Sequence, residues 1–198
     1  MLDSIRLQNF RSYKDDSFEF GNGVNIIVGP NASGKTNLIE AILVSARGGS
    51  FRAKDAELIR FDRPWARIDG KFGSFDRVVK LELKNETIKK SYELDGQSFF
   101  RLSPQKMVPA VLFEPNHLLM VAGPPELRRN FIDDVIEQTL PGYATTRRAY
   151  RRALSQRNAL LKRGYTVAKP QIFVWNLRLS ELGGKIAAER TALIEKFT

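Results

Sequence analysis

The stretch Gly29-Pro30-Asn31-Ala32-Ser33-Gly34-Lys35-Thr36 constrains this chain more than any other. Glycine, four residues, then Gly-Lys-Thr is the P-loop pattern, which is informative only between a strand and a helix. Both flanks fit. Val24, Ile26, Ile27 and Val28 form a short apolar, β-rich run before it. Leu38, Ile39, Ala41, Ile42, Leu43 and Ala46 follow at helical spacing. Glycines let successive N–H groups curl around a phosphate. The helix N-terminus behind adds unpaired donors and a positive dipole end. Lys35 reaches toward β- and γ-phosphates, and the Thr36 hydroxyl suits Mg²⁺, a hard cation that takes oxygen ligands. The stretch predicts a nucleoside triphosphate, ATP, with Mg²⁺.

At 198 residues one domain fits, or one with an appendage. No apolar run approaches the length of about 18 residues that a transmembrane helix needs. The start Met1-Leu2-Asp3-Ser4-Ile5-Arg6 lacks the apolar stretch of a signal peptide. Zero cysteines exclude disulfides and thiolate metal sites. A cytoplasmic, nucleoid-associated protein is the expectation. A net charge of +10 points to a polyanionic partner.

Along the chain, residues 2–8 predict a strand and Phe18–Phe20 a second, shorter one. Gly21-Asn22-Gly23 turns into the strand that feeds the P-loop. The helix from Lys35 stops at Gly48-Gly49. Ala66 to Leu94 alternates, with turns at Gly73-Ser74, Asn85-Glu86 and Asp95-Gly96. This predicts an antiparallel β-meander. Val108 to Phe113 reads as a buried strand closed by Glu114-Pro115. From Pro124 on, three helical stretches follow, at about 125–138, 143–163 and 172–197. The expected organisation is an α/β unit at 1–122 and a helical unit at 123–198. The last stretch reads as ending inside an element.

Between Tyr143 and Lys169 there are eight basic residues and no acidic ones. At the helix angle, Arg147, Arg148, Arg151, Arg152, Lys162 and Arg163 fall within an arc of roughly 160°. Tyr143, Tyr150, Leu154 and Leu161 lie elsewhere. One face packs and the other is positive. A nucleic-acid backbone suits such a stripe best, with an acidic partner protein as the alternative. A membrane does not, because the opposite face lacks the aromatic richness of an interfacial helix. Arg157 falls among the apolar positions and needs a partner there. Leu179, Leu182, Ile186 and Leu193 form a seam that could pack on this helix.

Hydrolysis needs carboxylates to hold the metal and orient water. Glu114, ending Val111-Leu112-Phe113, is the one candidate, and a strand end is its simpler reading. There is no Leu-Ser-Gly-Gly-type signature loop. The lone His117 offers neither a triad nor a metal cluster.

Leu7-Gln8-Asn9-Phe10-Arg11-Ser12-Tyr13, the P-loop through Asn37, and Leu38-Ile39-Glu40-Ala41-Ile42 resemble the head of an SMC-type, ABC-type ATPase. Ser50-Phe51-Arg52, Asp55 to Phe61, and Val111 to Pro115 resemble the RecF family in particular. So do Arg128-Arg129-Asn130-Phe131-Ile132-Asp133 and Gln156-Arg157-Asn158. The resemblance spans the chain and matches the N-terminal half of that family. It implies the fold of an ABC-type P-loop ATPase head with an antiparallel β-meander and a helical arm. It implies ATP-gated homodimerisation on gapped or single-strand/double-strand junction DNA. Weak DNA-dependent ATPase activity of the intact protein, DNA repair, recombination and replication, and loading of RecA with RecO and RecR follow from it. Asn9 and Arg11 would lie near the ribose or phosphates, and Arg52 would link DNA to hydrolysis. Pro115 to Leu118 would hold the Q-loop position, with Asn116-His117 where an acidic pair is expected. A small phosphotransferase and a transporter ATPase share the P-loop, but neither calls for a basic helical arm.

Overall fold

The computed structural model describes residues 1–162 and 165–196. It divides into two compact units, Met1–Val111 and Leu112–Thr198. The division falls before the expected boundary at 122. A 3₁₀ turn at Pro115–Leu118 leads directly into a short helix, α3 (Leu119–Ala122). Arg128 ties that segment to the helices that follow, donating to the carbonyls of Met120 at 3.0 Å and Gly123 at 3.2 Å.

The first unit is one antiparallel sheet with a helix on one face. Its strands are β1 (Ser4–Phe10), β2 (Tyr13–Glu19), β3 (Trp65–Phe72), β4 (Phe75–Lys84), β5 (Thr87–Leu94) and β6 (Gln97–Phe99). They lie in the order β2-β1-β3-β4-β5-β6. The alternation read from the sequence sets the register. Ile5, Leu7, Ala66, Ile68, Val79 and Leu81 all point to the buried face. The β4–β5 turn puts Asn85 and Glu86 at positive φ, the backbone of a hairpin turn that follows strand twist.

Helix α1 (Lys35–Arg47) lays Leu38, Ala41 and Val44 on that face, and the short α2 (Asp55–Leu58) adds Leu58. It stops at Gly48, whose φ of 84° lets its N–H close on the Val44 carbonyl. Arg77, on β4, is 1% exposed and meets no carboxylate among the described residues. It caps α1 instead, donating to the carbonyls of Ser45 at 2.7 Å and Ala46 at 3.0 Å. It also donates to the Lys106 carbonyl and packs against Phe72 and Phe75. Burial pushes its pKa down from the ordinary arginine value. The negative helix end and the ring faces hold the cation in place.

Two expected strands do not form. Val24, Ile26 and Val28 are 89%, 81% and 83% exposed, in a stretch with no ladder partner. Asn25 instead folds its side chain back on Gly21, accepting from its N–H and donating to its carbonyl. Val108 to Phe113 likewise has no ladder, although the Val108 N–H reaches the Ala46 carbonyl at 2.9 Å. β-rich composition favours a strand only where a neighbour supplies hydrogen bonds and packing.

The second unit is helical: α3, α4 (Pro125–Thr139), α5 (Tyr143–Lys162) and α6 (Tyr165–Ile194). Arg157 touches Asn176, Tyr150 meets Gly183, and Asp133 joins Tyr143 to Arg190. These contacts make α5 and α6 antiparallel. The expected seam holds through buried Leu182 and Ile186. Helix α6 begins before Pro170, not after it. The helix runs through Pro170, a residue that lacks an N–H donor. No helix among the described residues is long and apolar enough to cross a membrane.

Candidate nucleotide site and basic arm

The P-loop is folded as a closed arch. Ala32 and Gly34 have φ of 65° and 96°, and α1 begins at the next residue, Lys35. A Cβ on Gly34 would stand 3.0 Å from both Ser12 Oγ and Tyr13 Oη. Glycine is therefore required twice there, for its φ and for the room. Tyr13 Oη donates to the Gly34 carbonyl at 3.1 Å, so the tip of the β1–β2 hairpin braces the loop. Lys35 Nζ donates to the carbonyls of Gly29 at 2.7 Å and Pro30 at 2.6 Å. No acidic side chain occupies the first turn of α1. Gly29 to Ser33 and Thr36 are exposed, Lys35 is half-buried and Gly34 is buried. Free helix donors, a lysine and no competing carboxylate fit a triphosphate. Among the described residues no cluster of three acidic, histidine or cysteine side chains could hold a metal. Thr36 would thus supply the protein's hydroxyl ligand to a metal whose other ligands come from phosphate and water.

Behind the loop sits a buried carboxylate. Glu40 on α1 is 0% exposed. Arg11 donates to both its oxygens, at 2.9 and 3.0 Å. Arg52 donates at 2.9 Å and Ser50 at 2.6 Å. Burial alone would raise the Glu40 pKa, but the hydrogen bonds from Arg11, Arg52 and Ser50 outweigh it and hold it at about 2. Arg52 also donates to Asn37 at 2.7 Å, and Asn37 donates to Ser12 at 2.9 Å. Asn9 takes part through its backbone, its carbonyl accepting from Arg60 N–H at 2.7 Å. Asn9 and Arg11 both have positive φ, at 47° and 51°, which bends the hairpin tip toward α1. An open groove of about 880 Å³ runs beside this cluster, lined by Arg11, Asn37, Arg52, Arg60 and Arg63.

On the arm the predicted stripe divides. Arg148, Arg151, Arg152 and Lys162 are exposed. Arg147 is not on that surface. It is 8% exposed and paired with Asp133 at 3.0 Å, Asp134 at 3.2 Å and Glu137 at 3.0 Å. The helix angle placed it correctly around α5, but α4 covers that edge of the arc. Arg163 lies outside the described residues. Arg157 has the partner its apolar position demanded, donating to Asn176 at 2.6 Å. Glu114 and His117 serve a local turn, the Glu114 N–H donating to His117 Nδ1 at 3.1 Å.

Residues 4–171 match the model of the AAA domain. The chain belongs to this AAA domain family. Its relatives are specific. It is 37% identical over 195 residues to the DNA replication and repair protein RecF of Desulforamulus reducens, covering 97% of this chain and 52% of that protein. RecF of Bacillus cytotoxicus is 38% identical over 195 residues, with 96% and 52% covered. Among solved structures, the recombination mediator protein RecF-ATP of the RecFOR pathway superposes with a TM-score of 0.79 at 29% identity. That match covers 98% of this chain and 54% of the other. RecF-ATPrS of the same pathway gives 0.82, covering 99% and 54%. The chain thus resembles RecF over nearly all its length and spans about half the length of these relatives.

The chain holds functional candidates that pattern reading missed. Glu40 had a signal, since it is the only charged residue between Lys35 and Arg47 in an apolar helical run. Asp133 and Arg190 had none, because 57 positions separate them.

Proposed function

We propose that this chain is the nucleotide-binding part of an ATP-gated DNA-binding protein of recombinational repair. One observation carries the reading: a preformed P-loop arch, with an acid-free helix start, in a chain similar throughout to RecF-ATP. ATP brings a triphosphate whose charge suits the arch. Backbone amides of the loop and the start of α1 bind its phosphates. Lys35 exchanges the Gly29 and Pro30 carbonyls for phosphate oxygens, and Thr36 offers its hydroxyl to Mg²⁺. Asn9 and Arg11 bound the ribose and phosphate side, with Arg11 held in place by Glu40. Arg52 stands at the adjoining groove, where DNA contact and the nucleotide helix meet. Arg148, Arg151, Arg152 and Lys162 give the arm its polyanion-facing surface. The whole protein would dimerise on ATP at gapped or junction DNA and act with RecO and RecR in loading RecA.

Titration with ATP and Mg²⁺ by calorimetry tests the first step. Lys35→Ala should weaken binding by about ten- to a hundredfold, the worth of one charged hydrogen bond. Unchanged affinity would reject the assignment. Filter binding of gapped DNA tests the second. Reversing Arg148, Arg151 and Arg152 to Glu should abolish salt-dependent retention.

A further inference from the structure

Three helix faces of the arm converge on a second polar cleft, of about 540 Å³. From α4 come Glu126, Arg129 and Asp133; from α5, Arg147 and Arg151; from α6, Arg190. Its floor is a fixed ionic lattice. Asp133 is 2% exposed and accepts from Arg190 at 2.7 and 2.9 Å and from Tyr143 Oη at 2.6 Å. Arg147 closes the same carboxylate at 3.0 Å and is itself satisfied by Asp134 and Glu137. The Asp133 carboxyl stays below the usual carboxylate range despite its burial, because Arg190 and Tyr143 bond to its charged form and Arg147 stands beside it. The small Gly183 and Ala187 on α6 keep the cleft open.

The mouth differs from the floor. Arg129 and Arg151 are exposed and meet no carboxylate among the described residues. Glu126 lies beside them in the lining, with Asp133 below, already held by Arg190 and Tyr143. The floor's two guanidiniums are held by its three carboxylates, while at the mouth Arg129 and Arg151 outnumber Glu126. Arg190, with its side chain 27% exposed, connects the two levels. A guanidinium whose orientation is already fixed loses little freedom on binding, and its planar fork matches phosphate. From this mouth, Arg148 and Arg152 continue the row of exposed cations along α5, about one helical turn apart. A row of that kind suits a polymer with regularly repeated charge.

We infer that this cleft holds a backbone phosphate of the bound nucleic acid, gripped by Arg129 and Arg151 and backed by Arg190. The inference rests on the DNA-binding reading and gives it a defined seat. The seat lies between α4, α5 and α6, so two helices besides α5 contribute to it.

The test is the salt dependence of binding to a fluorescent gapped duplex by the whole chain. Arg129→Gln/Arg151→Gln is compared with wild type and with Arg178→Gln/Lys185→Gln, whose cations already pair with Glu181. The cleft variant should bind at least tenfold more weakly at moderate salt. Its log–log salt slope should be shallower by about one, the value of a single phosphate. The control should match wild type. Far-UV circular dichroism confirms that the arm stays helical. An unchanged slope in a helical cleft variant overturns the inference while leaving the DNA reading intact. So does unchanged DNA binding with lost binding of polyglutamate, which would make the cleft an acidic-protein seat. Absence of salt-dependent binding by wild type overturns both.

Discussion

Replacing Glu40 by Gln isolates the charge that gathers the loop, hairpin and Arg52 segments. The drop of its pKa from 4.5 to about 2 corresponds to about 3 kcal/mol favouring the folded, ionised form. Removing one partner of a buried ion pair independently gives about 3–5 kcal/mol. The side chains of Arg11 and Arg52 are 21% and 37% exposed, so water partly replaces the lost acceptor and the lower end applies. An amide of the same shape also turns an NH₂ group toward two guanidinium donors. A loss of about 3 kcal/mol at pH 7 is therefore expected. Because the folded pKa is depressed, this contribution is present above pH 4.5 and disappears as pH falls toward 2. Glu40→Gln should lack its share of that limb, leaving the part from Asp15 in the same unit, whose carboxyl Arg6 also holds at about 2. The assay is urea unfolding followed by Trp65 in a Trp175→Phe background, since the chain has 2 tryptophans, one in each unit. That background leaves the titration of Asp133, in the other unit, unseen. A loss under about 1 kcal/mol with the acid limb intact would refute the reasoning.

Gly34→Ala places a methyl 3.0 Å from Ser12 Oγ and Tyr13 Oη at a φ of 96°, and should cost about 1–3 kcal/mol of stability and weaken ATP binding measured by calorimetry. Arg77→Met removes the cap from the Ser45 and Ala46 carbonyls; hydrogen exchange should accelerate in the last turn of α1, with about 1–3 kcal/mol lost. Burial pushes the phenols of Tyr92 and Tyr143 up to about 12 and also raises that of Tyr13, so an ultraviolet titration should show these three of the 5 tyrosines ionising late. Folding stability should correspondingly fall as pH rises from 10 to 12, a fall that Tyr92→Phe/Tyr143→Phe reduces, leaving the share of Tyr13.

Local chemistry made much of the fold legible. The meander showed itself in period-two burial and in turn residues able to take positive φ. Helix α1 did so through a lysine start and a glycine stop. The same local reading failed where a partner decides the outcome. Val24 to Val28 has the composition of a strand and no ladder. Arg147 has the angular position of a surface cation, yet α4 lies over it. At the candidate site the backbone cradle was readable because the motif is contiguous. The Glu40 cluster was not, since Arg11 lies 29 positions away and only the folded hairpin brings it near.

Helix α1 is anchored at both ends, by Arg11 and Arg52 near its start and by Arg77 at its finish. It behaves as a post set in the sheet, unable to pivot or slide without breaking ion contacts at one end or carbonyl contacts at the other. If the chain binds a nucleotide as proposed, any displacement on its arrival would fall on the exposed, ladder-free segment from Gly21 to Ser33 and on the Lys35 side chain. The post would then be the fixed reference against which the arch measures its guest.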